Sequence, residues 1–432
     1  MKRSNLFARA ALAVPFAGLL ACDNASPSNS TDTTQTDDTA DTAPEEVEVP
    51  PECTTNPDCA EKEGRPICNI TTSQCEAPPR GHLIGTGDGA PASVNIVELY
   101  RPTTPIESTD LAFHPERDEL WVLNRRFEVQ GTCSQSNFNS ARCRSLGSTT
   151  TIIFEPGATN QSHRTLEDQN SWHFMRRAPA LAMGALDTFA TCSEAFTGNF
   201  EDDPTQYNGP SLWSSDLTIY AQPSGGNGSH LDMLHETPWC MGIAHERDNV
   251  YWLFNGRYGS IDRIDFHEDH GPGNDDHSDG EVHRYANGLL TRLPNVPSHM
   301  VYNPDDFHLY IVDSGTARIV KLDTTTGEPG GRLQAQFEPL KSSGMMLEAV
   351  LSVVVDAGDV LVEPSGIALA DGILYVSDHK TSQIHAYSLT GELLRTLDTG
   401  KPEGTLAGIE VRGDRLYFSD MLLGAVYRID WQ

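Results

Sequence analysis

The stretch SGIALADGILYVSDHKTSQIHAYSLTGELLRTLDTG, residues 365–400, decides the fold. Apolar and polar residues alternate over four short segments separated by turn-forming residues, which is the pattern of four antiparallel strands. The first three strands recur downstream in AGIEVRGDRLYFSDMLLGAVYRID (407–430) and upstream in SHMVYNPDDFHLYIVDSGTARIVKLD (298–323). Repeated four-stranded units that cannot bury both faces alone predict an all-β fold, the β-propeller.

Three further copies give the propeller six blades. They are MGIAHERDNVYWLFNGRYGSIDRID (241–265), TDLAFHPERDELWVLN (109–124) and, more loosely, PALAMGALDTFATC (179–192). We therefore assign residues 81–432 to a six-bladed β-propeller. The last copy stops after its third strand, so we predict that VNIVEL (94–99) supplies the missing outer strand. Closure of the ring in this way removes two exposed sheet edges.

The repeat resembles the NHL and SMP-30/gluconolactonase-like six-bladed propellers over about residues 109–432. Proteins of that shape include metal-dependent lactonases and an amidating lyase, so the resemblance implies a divalent ion in the central mouth. This chain departs from both patterns. Lactonase-like propellers carry acidic and asparagine ligands on inner strands, where this chain includes Ser365 and Gly366. The lyase pattern needs histidine directly after proline on three inner strands, but the chain offers only VPSHM (296–300), displaced by one residue.

The segments before the propeller indicate export. A basic leader and a short apolar run end in LLAC (19–22), which resembles the bacterial lipoprotein box. The resemblance implies a signal peptide at 1–22, lipid on Cys22, the membrane as a partner through that lipid, and a place in the cell envelope, at the outer membrane or cell surface. An ordinary signal peptide with an incidental cysteine is the alternative. Residues 23–52 hold nine acidic and no basic side chains, which predicts a disordered acidic linker.

The nine cysteines suit an exported protein. Residues 53–80 form a predicted disulfide module containing Cys53, Cys59, Cys68 and Cys75, with their pairing left open and a zinc site as the competing interpretation. In the propeller we predict two further bonds, Cys133 with Cys143 and Cys192 with Cys240, with metal ligation as the alternative for the second pair. Cys22 completes the count.

Charge excludes nucleic acid as a partner. The chain has 61 acidic against 30 basic side chains, and residues 81–432 alone have 48 against 24. Phosphate backbones would be repelled by such a surface. Two arginine pairs stand out against this background, and they are Arg125, Arg126, Arg176 and Arg177. We expect them to converge on one rim and attract an anionic ligand, a carboxylate or phosphate. Surface salt bridges are the alternative.

The topology assigns side chains to two faces, because the second strand of each blade returns to the face where the first began. We call the face where inner strands begin the upper face and the face where they end the lower face. The residues predicted to ring the axis at the upper face are Asp110, Ala180, Gly242, His299, Gly366 and Gly408. Only Asp110 and His299 can act as ligands, and the small residues predict an open mouth.

Amide and acidic side chains also end most second strands at the upper face. They are Asn124, Asn255, Asp313, Asp378 and Asp420. We take Asn255, Asp313 and Asp378 as candidates for ligand binding. The alternative is a structural role, since such side chains often bind the backbone of a turn.

Histidines predicted near the same rim suggest a metal, either a divalent ion or a copper-type ion. The candidate ligands are His173, His235, His299 and His379, and His230 is the further histidine. His230 and His235 lie five apart, so strand alternation puts them on opposite sides and favours His235. A calcium site is a separate hypothesis for 275–281, where Asp275, His277, Asp279 and Gly280 imitate the start of an EF-hand loop. Ala286 stands where that loop needs glutamate, and a solvated acidic loop is the alternative.

Three functional classes follow. The first is a tethered propeller that binds a small-molecule or peptide ligand at its mouth, with or without a metal. The second is a metal-dependent lactonase or lyase on the same face, although fold analogy alone does not carry a reaction. The third is a protein-interaction scaffold in the envelope.

Overall fold

The computed structural model describes residues 51–54, 56–59, 61–62, 67–69, 71–85, 94–128, 133–134, 136–137, 140–197, 208–223, 225–274, 276–333, 338–358 and 360–431. The predicted signal peptide with Cys22, the acidic linker at 23–50 and Asp275 lie outside these residues. Within the described ranges, no helix has the length and apolar character needed to cross a membrane.

The cysteine module is a two-stranded hairpin with a 3₁₀ turn at Asn56–Cys59. Strands β1 (Ile67–Asn69) and β2 (Gln74–Glu76) pair antiparallel, with Cys68 opposite Cys75. Disulfides join Cys53 to Cys68 and Cys59 to Cys75. The predicted disulfides are confirmed, and all four sulfur atoms are used in them, so the competing zinc interpretation is not the one the structure adopts.

Six antiparallel sheets form the blades of a propeller. The first strand in the chain is β3 (Val94–Tyr100). Blades 1, 2 and 3 then follow, each written from its inner to its outer strand: β4 (Glu107–Phe113), β5 (Glu119–Arg125), β6 (Thr149–Phe154) and β7 (Ser162–Leu166); β8 (Leu181–Met183), β9 (Thr188–Thr191), β10 (Ser211–Ser214) and β11 (His230–Met233); β12 (Cys240–Arg247), β13 (Val250–Asn255), β14 (Ser260–Asp265) and β15 (Glu281–Tyr285).

Blades 4, 5 and 6 complete the ring. Blade 4 consists of β16 (Met300–Asn303), β17 (His308–Asp313), β18 (Arg318–Asp323) and, after the inserted strands β19 (Glu328–Pro329) and β20 (Ser342–Leu347), β21 (Leu351–Val355). Blade 5 consists of β22 (Pro364–Ala370), β23 (Ile373–Asp378), β24 (Gln383–Ser388) and β25 (Leu393–Asp398). Blade 6 contains β26 (Leu406–Arg412), β27 (Arg415–Asp420) and β28 (Ala425–Trp431). The inserted β20 pairs in parallel with β15 and so widens blade 3. The predicted six-bladed propeller is confirmed.

The ring is closed by the N-terminal strand. Strand β3 pairs antiparallel with β28, with Tyr100 opposite Val426 and Val97 opposite Arg428. It is therefore the outer strand of blade 6, as the sequence predicts for residues 94–99. The six inner strands contact one another in a closed circle, β4 to β8, β12, β16, β22, β26 and back to β4.

The hydrophobic core lies between blades. Six clusters of buried apolar side chains occupy the six junctions between neighbouring blades. Between blades 1 and 2, for example, the rings of Trp121 and Phe189 lie 5.0 Å apart. A 3₁₀ turn at His82–Ile84 adds Leu83 and Ile84 to the cluster between blades 5 and 6. These junctions bury the apolar side chains that stabilise the fold.

The remaining helical segments are short. Helix α1 (Ala141–Arg144) lies between β5 and β6, and helix α2 (Ser171–Phe174) connects blade 1 to blade 2. Further 3₁₀ turns occupy Gly225–Asn227 and Ser314–Thr316.

Candidate functional site

The upper end of the axis is closed, which corrects the expectation of an open mouth. The glycines there allow neighbouring inner strands to touch. A Cβ atom on Gly242 would lie 2.0 Å from the carbonyl oxygen of Ser298, and one on Gly408 would lie 2.7 Å from the Cα atom of Asp110. Small residues at these positions thus serve close backbone approach and leave no opening.

Asp110 and His299 meet across the closed end, as their opposed blades predict. Nδ1 of His299 lies 3.5 Å from Oδ1 of Asp110, and both side chains are buried. Nε2 of His299 donates to the carbonyl oxygen of Pro179 at 3.1 Å, while the amide of Leu181 donates to Oδ2 of Asp110 at 2.9 Å. Burial raises the pKa of Asp110, and the nearby imidazole of His299 opposes that shift.

A cavity of about 220 Å³ lies beneath this pair. Its walls come from all six inner strands and mix apolar side chains, such as Ile243, Val301 and Ile409, with polar ones. It follows the strands towards the lower face, where Phe113 and Tyr302 are partly exposed. The accessible space at the axis therefore belongs to the face opposite the one that the sequence analysis chose.

The polar groups in this cavity are few and mainly acidic. Besides Asp110 and His299, the ionisable side chains that line it are His245 and Glu410. No lysine or arginine is found among the described residues that form its walls. Burial lowers the pKa of His245, which favours its neutral form. The carboxylates thus have no lysine or arginine among the described side chains that line the cavity with them, although the nearby Arg412 partly opposes the raised pKa of Glu410.

Glu410 is the functional candidate that the sequence analysis missed. Burial raises its pKa to about 7, although its Oε1 atom accepts a hydrogen bond from the amide of Val411 at 3.0 Å. The signal was present in the sequence. Side chains two apart on a strand face the same way, and two residues beyond the six predicted axial positions stand Ala112, Ala182, Ala244, Val301, Ala368 and Glu410. Five are small or apolar, and one is a carboxylate.

The three ligand candidates at the ends of second strands have structural roles, which corrects their assignment. All three side chains are fully buried. Oδ1 of Asn255 accepts hydrogen bonds from the amides of Arg257 and Tyr258. Asp378 similarly binds the amides of Val362, Glu363 and Thr381.

Asp313 completes this set. It accepts hydrogen bonds from the amide of Thr291 and the hydroxyl of Thr316, and its Oδ2 atom lies 2.9 Å from the guanidinium of Arg318. Both of its oxygens are therefore occupied within the protein. Asn255, Asp313 and Asp378 thus bind the protein's own backbone and side chains, and none of them lines the axial cavity.

The predicted arginine cluster exists, at the upper rim between blades 1 and 2. Arg125, Arg126 and Arg177 line a pocket of about 270 Å³. Arg126 pairs with Glu167 at 2.5 Å. Arg176 does not line the pocket, and it pairs with Glu128 at 2.7 Å.

Glu194 holds the centre of this cluster. Its side chain is only 2% exposed and lies 3.2 Å from Arg125, 3.5 Å from Arg177 and 3.2 Å from Arg292. Arg125 also pairs with Glu107 at 2.6 Å. The guanidinium groups are thus paired with buried or half-buried carboxylates, as the salt-bridge alternative expects.

The histidine candidates are divided between three places, and three of the five lie together. His173, His230 and His235 line a separate pocket of about 180 Å³ at the outer edge of blade 2, together with His277. His235 lies beyond the end of β11 at Met233, so strand alternation does not separate it from His230.

The other two candidates stand apart from that pocket. His299 is at the axis, and Nδ1 of His379 bonds to the carbonyl oxygen of Leu406 at 2.9 Å. Two sets of three potential ligand atoms close enough to share one ion occur among the described residues. One is Cys53, Cys59 and Cys75, which are in disulfides, and the other is Asp232, His270 and Asp279.

The calcium hypothesis for 275–281 stays a prediction, because only part of this loop is described. Asp275 lies outside the described residues. His277 turns away and places Nδ1 2.8 Å from Oδ1 of Asp232, and Asp279 binds Nε2 of His270 at 2.9 Å. Asp276 accepts hydrogen bonds from the amide and hydroxyl of Ser278. The described part of the loop is thus held by hydrogen bonds to Asp232 and within the excursion.

Both disulfides predicted for the propeller are present. Cys133 is bonded to Cys143 within blade 1, between β5 and β6. Cys192, directly after β9, is bonded to Cys240, the first residue of β12. The second bond therefore joins blades 2 and 3.

Comparison with known proteins assigns no family to the chain. No protein-family model matches the chain, and no curated protein matches it significantly. Similar solved structures include virginiamycin B lyase from Staphylococcus aureus, with 11% identity, a TM-score of 0.42, and coverage of 78% of this chain and 99% of that one. They are six-bladed β-propeller proteins.

Two more are a calcium-binding regucalcin from Agrobacterium tumefaciens and an auxiliary nutrient binding protein from Bacteroides ovatus. The first has 12% identity, a TM-score of 0.43, and coverage of 78% of this chain and 94% of that one. The second has 10% identity, a TM-score of 0.48, and coverage of 78% and 76%. At this level of similarity the function has to be argued from the residues of the chain itself.

Proposed function

We propose that the protein is a binding propeller whose central cavity takes a small organic cation, a protonated amine on a short apolar body. One observation carries the proposal. Asp110 and Glu410 are the carboxylates of a cavity with mixed polar and apolar walls, and no lysine or arginine is among its described lining residues. A few polar groups set in apolar walls are typical of small-ligand sites.

The sign of the ligand's charge follows from electrostatics. An anion would meet two carboxylates in this cavity, and like charges repel. A cation would instead offset the burial that raises the pKa of both groups. The cavity volume of about 220 Å³ suits a short alkylamine and is small for a folded peptide segment.

A protonated amine should bind to the ionised form of Glu410. Since the pKa of this carboxyl is about 7, roughly a tenth of it is ionised at pH 6 and about nine-tenths at pH 8. A short alkylamine stays protonated throughout that range because its own pKa is about 10. The affinity should therefore be about tenfold higher at pH 8 than at pH 6, and binding near pH 7 should release about half a proton per ligand.

Isothermal titration calorimetry tests the proposal with n-butylamine and 1,4-diaminobutane, using 1-butanol and 1,4-butanediol as neutral isosteres. Titration in two buffers of different ionisation enthalpy measures the released proton. Glu410→Gln should weaken amine binding about 10- to 100-fold, the range expected for losing one charge-assisted hydrogen bond. The matched control is Glu403→Gln, which changes an exposed glutamate outside the cavity.

Two results would remove the proposal. One is an alcohol that binds as tightly as its amine, because the carboxylates would then contribute nothing. The other is equal affinity in the wild-type protein and the Glu410→Gln variant. A metal-dependent lactonase or lyase is not proposed, because the sets of three ion-binding atoms found among the described residues lie away from this cavity.

We further propose that this propeller is held at the cell envelope by lipid on Cys22. The support is the LLAC sequence at 19–22 and the acidic stretch that follows it. An acidic segment without basic residues repels itself and extends, so it would hold the cavity away from a membrane surface.

A further inference from the structure

A second constellation of polar side chains lies at the junction of blades 2 and 3, remote from the axial cavity. Asp232 belongs to β11, the outer strand of blade 2, whereas His270 and Asp279 come from the excursion between β14 and β15 of blade 3. One ligand atom from each of the three side chains lies within 4.8 Å of the other two. The cluster joins residues almost fifty positions apart.

Asp232 provides an independent sign that this cluster serves a ligand. Its side chain is fully buried, and its Oδ1 atom accepts hydrogen bonds from the amide of Met233 and from Nδ1 of His277. Its Oδ2 atom is also buried, yet it has no hydrogen-bond partner among the described residues. A buried carboxylate oxygen left unsatisfied is costly, and native proteins rarely keep one without a function.

We propose that Asp232, His270 and Asp279 bind a divalent transition-metal ion of the zinc class. Two carboxylate oxygens and one imidazole nitrogen are donors that zinc accepts, and three protein ligands leave a fourth position for water. Calcium is disfavoured because it takes six to eight oxygen ligands. Donors on a tetrahedral zinc ion lie about 3.4 Å apart, and Nε2 of His270 is already 2.9 Å from Oδ1 of Asp279.

His277 is the positioning residue of this site. Its Nδ1 atom holds Oδ1 of Asp232 at 2.8 Å, which directs the other oxygen of that carboxylate to the ion. Its ring also lines the pocket that contains His173, His230 and His235. Hydrogen bonds of this kind to a metal-binding carboxylate typically change the metal affinity 10- to 100-fold. The site is independent of amine binding at the axis.

Competition with a chromophoric chelator measures zinc binding to the purified full chain, and elemental analysis gives the stoichiometry. We expect one equivalent of zinc in the wild-type protein. His270→Gln and Asp279→Asn change partly exposed side chains, so they should leave the fold intact, as circular dichroism would verify, while weakening zinc binding at least 100-fold. His277→Gln should weaken it 10- to 100-fold.

Cobalt(II) supplies a spectroscopic readout. Visible bands of a low-coordinate cobalt ion should appear in the wild-type protein and disappear in His270→Gln. The matched control is His267→Gln, which removes a histidine of the same excursion that pairs with Glu281, and its affinity should stay within twofold of wild type. The proposal is overturned if the wild-type chain binds no zinc. It is equally overturned if binding survives His270→Gln and is lost in His235→Gln, because the ion would then belong to the neighbouring pocket.

Discussion

Replacement of Glu410 by glutamine should stabilise the protein at alkaline pH and leave it unchanged in acid. The ordinary pKa of 4.5 describes this carboxyl in the unfolded chain, and burial in the cavity raises its pKa to about 7 in the fold. Between these values the folded state holds a proton that the unfolded state has lost. The free energy of unfolding of the wild-type protein therefore falls as pH rises through this window.

The size of the effect follows from the shift. Each unit of pKa difference corresponds to about 1.4 kcal/mol, so the full contribution is about 3 kcal/mol. The Glu410 side chain faces an open cavity that admits water, which reduces the contribution, so we expect about 2 kcal/mol. Glutamine keeps the shape of the side chain but does not ionise, which removes the dependence on pH.

Urea unfolding of the two proteins at pH 4 and pH 8, with the disulfides intact, measures this difference. The advantage of Glu410→Gln over wild type should grow by about 2 kcal/mol between the two pH values. The exposed control Glu403→Gln should show no such growth. If the difference between Glu410→Gln and wild type is the same at both pH values, the carboxyl is not desolvated, and the reasoning about the cavity is refuted.

Two further predictions concern the rest of the chain. Glu194→Gln should lower the free energy of unfolding, measured in urea, by about 3–5 kcal/mol, because it leaves the buried guanidinium of Arg125 short of a partner. The control Glu167→Gln changes a half-exposed ion pair and should lower it by less than about 1 kcal/mol. Equal losses in the two variants would contradict this account. Cys22→Ser should move the protein from the detergent phase to the aqueous phase in a Triton X-114 partition; a wild-type protein already in the aqueous phase would exclude the lipid anchor.

The fold could be predicted because its signals are local and repeated. Alternation within strands and turns between them recur in six copies, and each copy supports the others. Even the long-range pairing of β3 with β28 followed from counting, since the last blade lacked one strand and VNIVEL had no other partner. The disulfides followed from chain order and export, but the pairing of Cys53 with Cys68 needed coordinates.

The site was harder to predict because its correct placement depends on distances between residues that are far apart in the sequence. Gly242 and Gly408 suggested an open mouth, but small residues at an axis can also allow neighbouring strands to touch. The close approach of Gly242 to Ser298 shows that these strands touch. The orientation of His235 was predicted from the alternation of side chains along a strand, but that strand ends at Met233, before His235. Asp232 was overlooked because its partners, His270 and Asp279, come from another blade.

Charge has to be judged by what compensates it. In a chain of net charge −31, clustered arginines suggest a site for anions. However, each of these arginines already has a carboxylate partner, and Arg125 and Arg177 share Glu194. Glu410 is one carboxylate among 61 acidic side chains, yet its cavity contains no lysine or arginine among the described residues. A charge that the fold buries without a strong counter-charge raises the energy of the empty protein, and a ligand of opposite sign relieves it. For this reason the acidic cavity, and not the arginine rim, is where we expect a ligand to bind.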